Sequence, residues 1–170
     1  MKRSISALSV WLALGSAALA QDQPAGPEVS KLARYLGTWS YDGEDNTPLT
    51  GGRVTCEATR QWISAGYFVE SHRECKTPRG DLKQVEVFGY DFQKHVYLYW
   101  GFSGRSISTY TAPTMDGDTI AWTGTGLSEG NRCTEVFASG FTSSSDTCET
   151  TRDRGSNWIL IAAGKSTKSR

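Results

Sequence analysis

The chain has 170 residues, with 18 Lys and Arg against 18 Asp and Glu and 38% hydrophobic residues. That length builds one domain with a core of ordinary size. Balanced charge without a basic stripe excludes the electrostatic footprint of a nucleic-acid binder.

The N-terminus reads as a secretory signal peptide over residues 1–20. Lys2 and Arg3 precede the uncharged apolar run Ile5–Leu14, and Ala18-Leu19-Ala20 supplies small residues at the cleavage site. The run is too short to span a bilayer, which takes about 20 apolar residues. No later segment is apolar enough to form a membrane span. The expected location is therefore periplasmic or extracellular, with Gln21 as the first mature residue and an excess of two acids once Lys2 and Arg3 are gone. Residues 21–27 (QDQPAGP) read as a mobile linker, and residues 28–170 as the folded domain.

Within that domain Val29, Leu32, Ala33 and Leu36 recur at helical spacing, so a short helical stretch is expected over Glu28–Leu36, ended by Gly37. Everything after it reads as β-structure. Strands are expected near Thr38–Tyr41, Arg53–Trp62, Tyr67–Cys75, Leu82–Tyr90 and His95–Phe102. Five more follow near Ile107–Thr111, Thr119–Thr125, Arg132–Ala138, Asp146–Arg152 and Trp158–Ala163. Ser64-Ala65-Gly66 and Asp116-Gly117-Asp118 have the composition of tight connections. About ten short strands at this spacing predict an all-β sandwich or an up-and-down barrel.

Four cysteines, Cys56, Cys75, Cys133 and Cys148, fit an exported protein with disulfides. They lack the paired spacing of a zinc site, and no metal is expected. A hairpin centred on Ala65 and Gly66 sets Cys56 opposite Cys75. A second, centred on Gly140 and Phe141, sets Cys133 opposite Cys148. Two local cross-strand bridges fit this arithmetic, although four cysteines permit three connectivities. The second register also sets Glu135 opposite Asp146, a like-charge pair that counts against it, and Arg132 opposite Glu149, which favours it.

One stretch, Leu32-x-x-Tyr35-Leu36-Gly37-Thr38-Trp39, resembles the Gly-x-Trp start of lipocalin-like (calycin) barrels. The segment Gly89-Tyr90-Asp91, with Tyr97, Trp100 and Ser103, is similar to the core of an uncharacterised bacterial family of the same fold, domain of unknown function 1579. The resemblance implies a single lipocalin-like antiparallel barrel of about ten strands, led by a short helical turn, with Trp39 plugging the closed end. It also implies a basic residue packed on the Trp39 indole from the end of the chain, for which Arg152, Arg154 and Lys165 are candidates. It implies no activity.

Candidate ligand contacts come from the strand faces. On the first hairpin the more apolar face carries Val54, Cys56, Ala58, Arg60 and Trp62, then Tyr67, Val69, Ser71, Arg73 and Cys75. This face should point inward. Arg60 and Arg73 are diagonal neighbours on it. Two inward guanidiniums suit a ligand carboxylate or phosphate, unless they reach water at the barrel mouth or pair with an interior acid. Trp62, Trp100 and Trp122 are the expected aromatic wall of a pocket, or else simply fill the barrel. No catalytic motif is present. Gly101-Phe102-Ser103-Gly104-Arg105 misses the nucleophile elbow at its last position, and His72 and His95 read as surface or turn residues.

The expected function is therefore the binding of a small apolar or amphipathic molecule with an anionic head, with no cofactor. A barrel enzyme of isomerase or cyclase type is the first alternative, with Asp91 as its inward acid or base. A protein-binding envelope scaffold or inhibitor with a filled lumen is the second.

Overall fold

The computed structural model describes residues 26–169 apart from Arg105. The proposed signal peptide and most of the linker lie outside the described residues. Pro27 opens a one-turn helix, α1 (Pro27–Ser30), which continues as a 3-10 turn over Lys31–Tyr35.

Ten antiparallel strands follow: β1 (Gly37–Asp45), β2 (Gly52–Ile63), β3 (Phe68–Thr77), β4 (Gly80–Asp91) and β5 (Val96–Ser103), then β6 (Ser106–Ala112), β7 (Thr119–Gly124), β8 (Asn131–Phe137), β9 (Ser143–Thr150) and β10 (Ile159–Lys168). Each strand pairs with its sequence neighbours, and β1 pairs with β10, so the sheet closes into an up-and-down barrel. Closure leaves no free sheet edge.

The turns follow from their residues. Ser64, Ala65 and Gly66 all adopt positive φ and close the β2–β3 hairpin. The register there pairs Cys56 with Cys75, and on β8–β9 it pairs Cys133 with Cys148. Both pairs are disulfide-bonded, with Cα atoms 4.0 and 4.1 Å apart. Asp116-Gly117-Asp118 does not form the tight connection expected of it. Residues 113–118 instead make a loop that folds over the N-terminal turn, burying Met115 completely. Arg34 donates to the Met115 and Gly117 carbonyls, and Lys31 pairs with Asp116 at 2.6 Å.

That N-terminal turn is the plug. Val29, Leu32 and Tyr35 enter one end of the barrel and pack with Trp39, Val69, Phe88, Ile120 and Phe137 in the main core cluster. The Trp39 indole N–H donates to the Tyr35 carbonyl at 2.8 Å, which satisfies the one polar group of an otherwise buried ring. Its faces are flanked by Arg60 and by Lys168, each 5.6 Å from the ring centre. The basic residue at the end of the chain is thus Lys168. Arg152 and Arg154 lie in an exposed loop, and Lys165 points outward.

Two strands run further than their composition predicts. β1 continues past Tyr41 to Asp45, and β10 continues past Ala163 to Lys168. These extensions are polar, and their inward positions are not all filled by apolar side chains. Gly43 and Gly164 face each other across the β1–β10 seam, and the Tyr41 ring lies over both. A Cβ on Gly164 would come within 2.3 Å of that ring. A large aromatic thus covers two glycines at the point where the barrel closes. Gly164→Ala should therefore displace Tyr41 and cost about 1–3 kcal/mol, read as a lower midpoint in chemical denaturation with an unchanged slope.

Candidate functional site

The end of the barrel opposite the plug is open to a lumen of about 540 Å³. Its floor is Tyr35, Phe88 and Trp122, and its walls include Tyr41, Tyr99 and Tyr110. Residues 47–50 and Asn131 lie at its mouth. Strand alternation explains the set, since inward positions on each strand are every second residue.

Both arginines from the first hairpin do face inward and line this lumen. They are diagonal, as Arg60 pairs with Ser71 and Arg73 with Ala58. Between them stands a residue the sequence reading overlooked. Glu86 on β4 is 2% exposed and lies 3.3 Å from Arg73 and 3.7 Å from Arg60. The Tyr99 hydroxyl donates to the same oxygen, Oε1, that accepts from Arg73. The other oxygen, Oε2, is buried and accepts no hydrogen bond among the described residues. Burial alone would raise the Glu86 carboxyl; Arg73 and then Arg60 outweigh it and hold the group below the usual carboxylate range. The arginines therefore have an internal counter-ion, the pairing with an interior acid weighed above. Removing one member of such a group strands buried charge, which typically costs about 3–5 kcal/mol.

Two further carboxyls face the lumen. Glu135 and Asp146 are register partners on β8 and β9, the like-charge pair that the Cys133–Cys148 register demands. Glu135 accepts hydrogen bonds from Tyr35 (2.7 Å) and Ser144 (3.2 Å). Burial pushes its carboxyl above the ordinary range despite those donors. Burial likewise raises Asp146, with Arg73 opposing and Glu86 adding to the rise. Among the described residues nothing donates a hydrogen bond to Asp146.

The aromatic expectations divide. Trp122 lines the lumen and packs near Phe88 and Tyr99. Trp62 instead borders a separate cleft of about 500 Å³ beside the plug, with Leu36, Gly37 and the 64–66 turn. Trp100 is on the outer wall. The inward residues of β5 are Tyr97, Tyr99 and Ser103, so alternation turns Trp100 outward.

The motif residues have structural duties. Gly37 adopts φ of +103°, and a Cβ there would meet Lys168 at 2.8 Å. Gly89 faces outward beneath the Phe68 ring, where a Cβ would approach within 2.5 Å, with Trp100 just beyond. Tyr90 packs on Tyr97 and Phe92 near the plugged end. Asp91 also faces outward. Its carboxylate accepts from the Gln93 and Lys94 backbone N–H groups at 2.9 and 3.0 Å and fixes the β4–β5 turn. It is therefore not an inward acid; Glu86, Glu135 and Asp146 are. The signal that could have found Glu86 is β4 itself, where Gln84, Glu86 and Phe88 share one face. The expectation that acids face out hid it.

Among the described residues no group of three or more His, Cys, Asp and Glu could hold a metal ion, and no helix is long and apolar enough to cross a membrane.

Comparison with known proteins places this architecture. No family model matches the chain, and no curated protein matches it in sequence. Solved structures do match. Rv2717c from M. tuberculosis is similar with a TM-score of 0.58 and 11% identity, covering 85% of this chain and 99% of that one. The S-type phycobiliprotein lyase CPES from Guillardia theta is similar with a TM-score of 0.54 and 8% identity, covering 82% of this chain and 90% of that one. At such identities the likeness is one of fold, a closed antiparallel barrel of lipocalin-like type.

The raised Asp146 carboxyl has a stability consequence. A carboxyl whose folded value lies above its unfolded one destabilises the fold at neutral and alkaline pH, and the penalty fades as pH falls below both values. Asp146→Asn should therefore melt higher than the parent near pH 8, with the gap closing near pH 4, in thermal unfolding followed by circular dichroism.

Proposed function

We propose that this protein is an exported small-molecule binder whose ligand sits in the barrel lumen. The observation that carries the reading is the lumen itself, about 540 Å³ with aromatic walls and a few buried polar groups. Binding sites for small molecules have that size and that mixture. Two disulfides are compatible with a compartment outside the cytoplasm, and the signal-like N-terminus supports the same location. The relation to the uncharacterised family 1579 belongs to this proposal as well, resting on Gly89-Tyr90-Asp91, Tyr97, Trp100 and Ser103.

An anionic head on the ligand was the expectation while Arg60 and Arg73 stood alone. Glu86 between them weighs against it, because their positive charge already has a partner. Trp62 and Trp100 lie away from the lumen, so Trp122, Phe88 and the tyrosines are the contacts offered here.

Catalysis on a molecule held in the lumen is the second reading. It is favoured by one feature, the Tyr99 hydroxyl on the Glu86 carboxylate beside Arg73, and one neighbour of similar fold bears the name of a lyase. The reacting group in that case is the Glu86 carboxylate acting as a base, not Asp91.

A neutral apolar fluorophore, N-phenylnaphthylamine, tests the binding reading. It should bind saturably and take energy from Trp122. Ser108→Trp, which fills the lumen from a half-buried position on β6, should weaken it about ten-fold, a loss of about 1.4 kcal/mol. Equal binding by both proteins would place the dye elsewhere and contradict the reading.

A further inference from the structure

The charges facing the lumen do not balance. Arg60 and Arg73 enter from β2 and β3. Glu86 enters from β4, Glu135 from β8 and Asp146 from β9, and Asp45 stands at the mouth on β1. Glu86 is the partner of both guanidiniums. That leaves Glu135 and Asp146 side by side with no cation of their own among the described residues. Directly opposed strand residues have Cβ atoms about 5 Å apart, so both carboxyls present themselves to one point in the cavity. Two anions at that spacing in a low-dielectric wall repel strongly unless a cation or a proton lies between them. A second observation points the same way. Glu86 Oε2 is buried on a side chain that lines the same space and accepts no hydrogen bond among the described residues, its ion-pair partner Arg60 standing at 3.7 Å. The lumen thus carries more carboxylates than guanidiniums. Its other walls include the rings of Tyr41, Phe88, Tyr99, Tyr110 and Trp122, an aromatic surface suited to a flat apolar body.

We infer that the lumen takes a ligand with a protonated amine as its polar end and a flat apolar body, the ammonium seated against Asp146 and Glu135 on the β8–β9 wall. An ammonium brings three donors and one positive charge. The Asp146 carboxylate, which accepts no other hydrogen bond among the described residues, is its first contact, and Glu135 is the second. Arg60 and Arg73 are engaged by Glu86, which offsets their charge toward the ligand. The inference rests on the lumen reading above and adds the chemical class.

Three naphthalene probes that differ in their polar end test it: naphthylmethylamine, naphthalenemethanol and naphthoate, titrated calorimetrically near pH 7.5. The amine should bind about ten-fold tighter than the alcohol, and the carboxylate should bind weakest. Asp146→Asn should lower the amine-over-alcohol ratio about ten-fold. Lowering the pH should shrink the same ratio in the parent as Glu135 and Asp146 take up protons, with Glu86, Arg60, Arg73 and Asp45 setting the local field, so the answer does not depend on the variant folding. Alcohol binding as tight as the amine, or carboxylate binding tightest, would overturn the inference and leave the lumen reading standing. Failure of all three probes to bind would overturn the inference, and failure of N-phenylnaphthylamine to bind as well would overturn the lumen reading with it.

Discussion

A carboxylate buried between two guanidiniums organises the interior of this barrel. Glu86 on β4 shares one wall with Arg60 on β2 and Arg73 on β3; Ser71 on β3 pairs with both Arg60 and Glu86, so strand register alone sets the three charges side by side on the inward face. Three charges are held where a wholly apolar core would have none. Their desolvation is costly, and the arrangement persists because each charge has an opposite within reach and because Tyr99 supplies a further donor. The pairing also keeps the middle of the barrel polar. A lumen with these groups in it cannot collapse into a packed apolar core, so the cavity and the ion group are two aspects of one design.

The plug does the complementary work. A ten-strand barrel is wider than its side chains fill by themselves, and one end is occupied by α1 and the 3-10 turn, with Leu32 and Tyr35 inside and the 113–118 loop latched over them. Tyr35 joins the halves of the molecule. Its ring stacks on Phe88 at 4.2 Å in the floor, and its hydroxyl donates to Glu135 in the lumen wall. Packing at the closed end is thereby coupled to the charge state of the open one.

Most of the fold was legible in the sequence, because local signals and hairpin symmetry agree. All ten strands lie where alternation and turn residues put them, and the two cysteine pairs match the registers set by the Ser64–Gly66 and Gly140–Phe141 turns. The misses have physical reasons. Composition ends β10 at Ala163 because its continuation is small and polar, and its place in the barrel comes from pairing with β1, a partner distant in sequence. Lys168 escaped notice as the Trp39 contact for the same reason. Composition points Trp100 inward because apolar residues usually face a core, whereas here the tyrosines of β5 face in and the outer wall carries the indole. The site was half legible. Arg60, Arg73 and Trp122 follow from strand faces. Glu86, Glu135 and Asp146 do not, since a carboxylate in a strand is read as solvated until the closed sheet shows what surrounds it.

The central claim is that the lumen is an open binding chamber. Native mass spectrometry of protein taken gently from its own source, with solvent extraction of whatever is released, addresses it most directly. The account predicts a retained species of defined mass that dissociates on unfolding and extracts as a small molecule. Bare protein at its sequence mass, together with a lumen found packed by its own side chains, would contradict it.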